Sequence, residues 1–161
     1  MNNEILFSER QRFNIINAWL FLIIAFGILH FVDKAPISVL VFDGKFIILI
    51  LFLVLLTVCR LDTEIREDGI YYQFFPFQLK MKKIAFDDIE KVYVRKYKPI
   101  MEYGGWGIRI GLFGKGWAIN IAGNNGIQME FKDSKKRKFL IGTQKAEEVE
   151  AVLNKFKNVI M

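Results

Sequence analysis

The chain has one histidine and one cysteine, His30 and Cys59. That inventory closes most routes to chemistry. An internal disulfide needs two cysteines, and a structural zinc site takes four Cys or His ligands. Covalent catalysis needs a base beside its nucleophile. His30 and Cys59 lie at the ends of two different apolar runs, so neither has such a partner nearby in sequence. His30 reads as a polar ring at a water boundary, since a relay inside a span would need a charged partner. Cys59 reads as a small apolar residue, and its place beside Arg60 also fits juxtamembrane acylation. Asp87 and Asp88 form a carboxylate pair in sequence only. Adjacent residues on a strand point to opposite faces, so they read as a turn or bulge and not as a proton-sharing dyad. Six of the 12 glycines fall between Gly104 and Gly116. None fits the dinucleotide or P-loop spacing, so they read as turn and close-packing positions. No catalytic residue, metal site or cofactor is expected.

The basic residues are the more informative chemistry. They gather at Lys80, Lys82 and Lys83, at Lys91, Arg95, Lys96 and Lys98, and at Lys135, Lys136, Arg137 and Lys138. Of these, Lys80, Lys82, Lys83, Lys96, Lys135, Lys136, Arg137 and Lys138 are the candidate contacts to a surface or partner. Each Lys or Arg near an anionic lipid surface contributes about 1 kcal/mol. Residues 1–59 hold four basic and four acidic residues. The other 19 of 23 basic and 13 of 17 acidic residues, and so the whole net charge of +6, lie in residues 60–161.

The elements that carry these groups fall into two classes. Phe13 to Val32 is 20 residues without a charge, and Gly44 to Leu61 is 18 with Lys45 and Arg60 at its ends. Both runs are apolar on every side, which a surface helix is not. At about 1.5 Å per residue the first spans roughly 30 Å, the thickness of a bilayer core. A transmembrane helical hairpin is expected. A cleaved signal peptide fits less well, because Glu4 and Glu9 precede the run and no small-residue cleavage site follows it. Arg10, Arg12, Arg60, Arg66 and Lys80 flank the runs, which places both termini on the cytoplasmic side.

From Arg60 onward the period changes to two. Asp68-Gly69 marks a hairpin between Leu61–Glu67 and Ile70–Phe77. Lys80–Phe86 and Val92–Arg95 follow as strands, and Lys98-Pro99 opens a loop. Trp106, Ile108, Ile110 and Leu112 alternate with Gly105, Gly107, Arg109 and Gly111. Trp117, Ile119 and Ile121 repeat the pattern. Asn124-Asn125-Gly126 signals a turn before Ile127, Met129 and Phe131, and Lys138–Ile141 is a last strand. Thr143 then caps a helix with Val149, Val152, Leu153 and Phe156 on one face. The expectation is a small antiparallel barrel or sandwich closed by that helix.

The segments Ile84-Ala85-Phe86-Asp87-Asp88-Ile89-Glu90-Lys91-Val92, Gly104-Gly105-Trp106-Gly107-Ile108-Arg109, Gly123-Asn124-Asn125-Gly126-Ile127-Gln128 and Ile141-Gly142-Thr143-Gln144 resemble the pleckstrin-homology-like domains of bacterial membrane proteins. The resemblance covers roughly the last hundred residues and implies a fold and a membrane address without a catalytic residue. The fold class expected is therefore an N-terminal transmembrane α-helical hairpin followed by a mainly-β PH-like barrel or sandwich with a C-terminal capping helix. The expected boundaries are an N-terminal segment at 1–12, two spans within 13–61, and the PH-like domain at 62–161 with its helix at 144–157. The expected protein is a multi-pass inner-membrane protein whose β domain docks anionic lipid headgroups or another membrane-associated protein. An accessory subunit of a membrane enzyme or transporter is one alternative. Nucleic-acid binding by the basic β domain is another, but the aromatics at alternating positions are needed in the core, so no nucleic acid is expected.

Overall fold

The computed structural model describes residues 4–33, 44–111, 114–133 and 138–160. The chain divides into two compact units, one made of Met1–Gln11 with Arg60–Met161, the other of Arg12–Cys59.

The larger unit is built from two sheets. The first has the order β1 (Ile5–Arg12), β2 (Arg60–Arg66), β3 (Gly69–Phe75) and β4 (Lys82–Ala85). The second has β5 (Ile89–Lys96), β8 (Asn125–Phe131), β9 (Phe139–Thr143), β7 (Trp117–Asn120) and β6 (Gly107–Ile110), in that spatial order. The β2–β3 hairpin closes at Arg66↔Gly69, which sets Ile65 against Ile70 and Leu61 against Phe74. All four side chains are buried. Ile127, Met129 and Ile141 face inward from the second sheet, and the Tyr72 ring meets the Phe139 ring at 5.1 Å. Each such apolar side chain contributes about 1.5–3 kcal/mol through its removal from water.

Two local readings change. Asn125 and Gly126 already belong to β8, where they pair with Lys96 and Arg95 of β5 and with Thr143 and Gly142 of β9, and a Cβ on Gly126 would meet Leu140 Cδ2 at 2.7 Å. The second sheet is also not wholly antiparallel. β7 and β9 run parallel from Trp117↔Phe139 to Ile119↔Ile141, with β9 between β8 and β7. Phe86–Asp88 is a single 3₁₀ turn joining β4 to β5, so Asp87 and Asp88 are turn residues.

The C-terminal helix, α4, runs Ala146–Ile160 and lies against β5 and β8. Val149 and Leu153 are its buried residues, and Glu147 and Glu148 occupy the first turn, where carboxylates favour the positive end of the helix dipole. Phe156 has a side chain outside the described residues. Thr143 is the last residue of β9 and stands before the cap position, which is Lys145, the residue whose carbonyl accepts the Val149 N–H. Thr143 Oγ1 accepts from Lys145 N at 3.1 Å and donates to Glu9 Oε2 at 2.6 Å.

The smaller unit holds α1 (Ile15–Asp33) and α2 (Gly44–Val58), which touch one another. Trp19, Phe21, Ile23 and Ile24 on α1, and Ile47, Ile48, Leu51 and Phe52 on α2, are exposed. Among the described residues no helix is long and apolar enough to cross a membrane. The transmembrane hairpin is therefore corrected, and with it the multi-pass inner-membrane placement. The helix ends differ from those expected. Asn14 Oδ1 accepts the Ile16 N–H at 3.0 Å, so α1 starts two residues into the uncharged run and ends on Asp33. α2 stops at Val58 after 15 residues, about 22 Å against the roughly 30 Å of a bilayer core. The last residues assigned to that span, Arg60 and Leu61, are strand residues, and Leu61 is fully buried in the β core. The 33–43 connection falls almost wholly outside the described residues.

Candidate functional site

The candidate cations separate into paired and unpaired groups. Lys83 Nζ sits 2.5 Å from Asp68 Oδ2, and Tyr71 OH donates to the same oxygen at 2.9 Å. The hydrogen bond to Asp68 raises the Lys83 ammonium above its ordinary value. Lys138 Nζ lies 2.8 Å from Glu130 Oε1, which also accepts from Tyr93 OH at 3.1 Å. That lysine holds the Glu130 carboxyl below the usual carboxylate range. By contrast Lys80, Lys82 and Lys96 are exposed and make no ion pair among the described residues. Lys82 opens β4, an edge of the first sheet, Lys80 lies two residues before it, and Lys96 ends β5, an edge of the second. Lys135, Lys136 and Arg137 lie outside the described residues.

Arg95 belongs to a different arrangement. Its guanidinium meets Glu102 with two bonds, Nη1 to Oε1 at 3.2 Å and Nη2 to Oε2 at 2.9 Å, and Nε donates to Gln128 Oε1 at 3.0 Å. Glu102 Oε1 also accepts the Lys98 N–H at 2.9 Å. Burial works to raise the Glu102 pKa, but Arg95, Lys98 N–H and Lys115 outweigh it and hold the carboxyl below its ordinary value. These bonds fasten a short helix, α3 (Pro99–Tyr103), which opens on proline and ends at Gly104 in the left-handed region, φ 71°.

Below α3, Tyr97, Tyr103, Ala118 and Leu140 form a small buried cluster. Asn120 Nδ2 donates to Tyr97 OH at 2.8 Å. The glycines are what let this layer sit so close. A Cβ on Gly111 would fall 2.8 Å from Tyr103 Cε1, and one on Gly142 would fall 2.8 Å from Asn120 Cβ. Within the glycine-rich stretch, Gly111 and Gly116 are thus close-packing positions, while Gly104 and Gly114 have positive φ and open space where a Cβ would sit. The sequence signal for α3 was the Pro99–Glu102 spacing, a carboxylate able to reach back to the helix start.

A second cluster was hidden in residues first read as membrane flanks. Arg10 on β1 and Arg60 on β2 both turn to Asp62. Arg10 Nε donates to Oδ1 at 2.5 Å, and Arg60 Nε lies 3.1 Å from Oδ2. Asp62 is 9% exposed. The Arg60 guanidinium carbon sits 4.9 Å from the Phe75 ring centroid. Together with Ser8, Glu64, Gln73 and Met81 these residues line a groove of about 320 Å³. Sequence separation of some 50 residues between the arginines concealed it.

Of the two residues singled out for chemistry, only Cys59 has a described side chain. Cys59 is buried, and burial pushes its thiol above the ordinary value, away from the reactive thiolate. The side chain of His30 lies outside the described residues. Among the described residues no group of three or more His, Cys, Asp or Glu is placed to hold a metal ion. Comparison with protein-family models, characterised proteins and solved structures gives no match to this chain.

Proposed function

We propose that the chain is a docking module whose β unit contacts anionic lipid headgroups through Lys80, Lys82 and Lys96. The observation that carries this reading is the sorting of the cations: Lys83 and Lys138 are neutralised by Asp68 and Glu130, while these three are exposed and unpaired among the described residues. The resemblance to pleckstrin-homology-like domains agrees with a binding role. Lysine on an edge strand also discourages strand addition by another chain, and the experiment separates the two roles. The full chain is partitioned onto neutral phosphatidylcholine vesicles and onto vesicles containing phosphatidylserine. Docking gives tighter partition onto the anionic vesicles. At about 1 kcal/mol per residue, the triple change Lys80→Ala, Lys82→Ala and Lys96→Ala lowers that preference by about 100-fold. Equal partition onto both vesicles, or a variant that keeps the full preference, contradicts the proposal.

A protein partner is the second reading. Ile108 and Ile110 on the edge strand β6, Trp106 just before it and Trp117 on the neighbouring β7 are exposed. Tryptophan and other large apolar groups at a sheet edge suit a protein contact better than a headgroup layer.

A further inference from the structure

We propose that the groove on the first sheet binds a small zwitterion of the α-amino-acid type, its carboxylate held by Arg10 and Arg60 and its ammonium by Glu64. The site does not rest on lipid docking and uses none of the three lysines above. Its walls come from Ser8 and Arg10 on β1, Arg60, Asp62 and Glu64 on β2, and Gln73 on β3, with Met81 just before β4. A volume of about 320 Å³ is at the small end of the roughly 300–1,000 Å³ typical of ligand sites.

The charges select the ligand. Asp62 accepts from Arg10 Nε and lies beside Arg60 Nε as an ion pair. Among the described residues, the terminal Nη groups of Arg10 and Arg60 have no hydrogen-bond partner. Arg60 Nε is itself buried without a well-aligned acceptor, although it lies 3.1 Å from Asp62 Oδ2. Paired guanidinium edges of this kind match a carboxylate. With Arg66 paired to Glu64 at 2.6 Å, three guanidinium groups stand against the two carboxylates Asp62 and Glu64, so the surplus positive charge draws in a single carboxylate. Glu64 receives both Arg66 bonds on Oε2, at 3.0 Å and 2.6 Å, which leaves Oε1 as an acceptor. A ligand bearing one negative and one positive group satisfies both sets at once. A neutral ligand satisfies neither.

The full chain is titrated calorimetrically with the common amino acids one at a time. At least one is expected to bind saturably. Its N-acetyl form, lacking the ammonium, and its amide form, lacking the carboxylate, bind about tenfold or more weakly. Arg60→Met and Glu64→Gln each weaken the parent amino acid by a similar factor, and Lys155→Ala, at an exposed position of α4, does not. Should Arg60→Met fail to fold, Arg60→Lys keeps the charge, loses the planar fork and is expected to weaken binding too. The proposal is overturned if no amino acid binds, if the blocked forms bind as well as the parent, or if folded groove variants bind unchanged.

Discussion

Gly116→Ala is expected to unfold much of the β unit's stability, lowering its thermal midpoint by more than about 10 °C. Gly116 has φ +83°, a region that residues with a Cβ enter only at a cost of order 1 kcal/mol or more. The larger cost is steric. An alanine Cβ would collide with the carbonyl oxygen of Lys138 and lie 2.6 Å from its carbonyl carbon. Those are backbone atoms, and neighbouring bonds hold them. Trp117 N donates to that Lys138 oxygen at 2.7 Å, and Gly111 N donates to Gly116 O at 2.6 Å. Relief would require parting β7 from β9 where their parallel pairing begins. A loss of about 3 kcal/mol is a large fraction of the 5–15 kcal/mol that holds a domain together. At roughly 4–8 °C per kcal/mol for a unit of this size the shift is easily measured. Circular dichroism on heating is the test, and an unchanged midpoint would show that the β7–β9 junction yields freely.

Glu9→Ala is expected to cost about 2–4 kcal/mol, more than its place near the N-terminus suggests. Glu9 is buried in β1, and its carboxylate accepts Thr143 Oγ1–H at 2.6 Å and Gln144 N–H at 2.9 Å. Two residues on, Gln11 Nε2 donates to Gly142 O at 2.7 Å. These bonds join the first strand to the end of β9 and the approach to α4, across more than 130 residues. Alanine would leave the buried Thr143 hydroxyl and the part-buried Gln144 N–H without their acceptor, whereas glutamine keeps one acceptor oxygen and should lose less. Urea unfolding would show a lower midpoint with unchanged slope, since the surface exposed on unfolding is the same. A midpoint within error of the parent would mean that β1 contributes little to the unit.

The same strand explains where sequence reading stopped. β1 alternates Phe7, Glu9 and Gln11 inward, and two of those three are polar, so no apolar period announced it. The β2–β3 hairpin and α4 were legible because Asp68-Gly69 and the Val149–Leu153 spacing are local signals. The parallel β7–β9 pair was not, since nothing local encodes a neighbour reached across β8. The apolar runs were recognised as helices, the first nearly to its length and the second three residues too long. Asn14 trimmed the start of one, and β2 claimed the final residues of the other. In the sites, charge content was visible and pairing was not. Lys83 and Lys80 look alike in sequence, and only the position of Asp68 separates them.

The most direct test of docking is lysine reactivity. The full chain is acetylated briefly, with and without vesicles containing phosphatidylserine, and the rate at each lysine is read by mass spectrometry. Docking predicts slowed labelling at Lys80, Lys82 and Lys96 on the anionic vesicles alone, with no slowing at Lys145, an exposed lysine paired to Glu148 at 3.0 Å and outside the three proposed contacts. Equal slowing at all four lysines, or none at Lys80, Lys82 and Lys96, would contradict it.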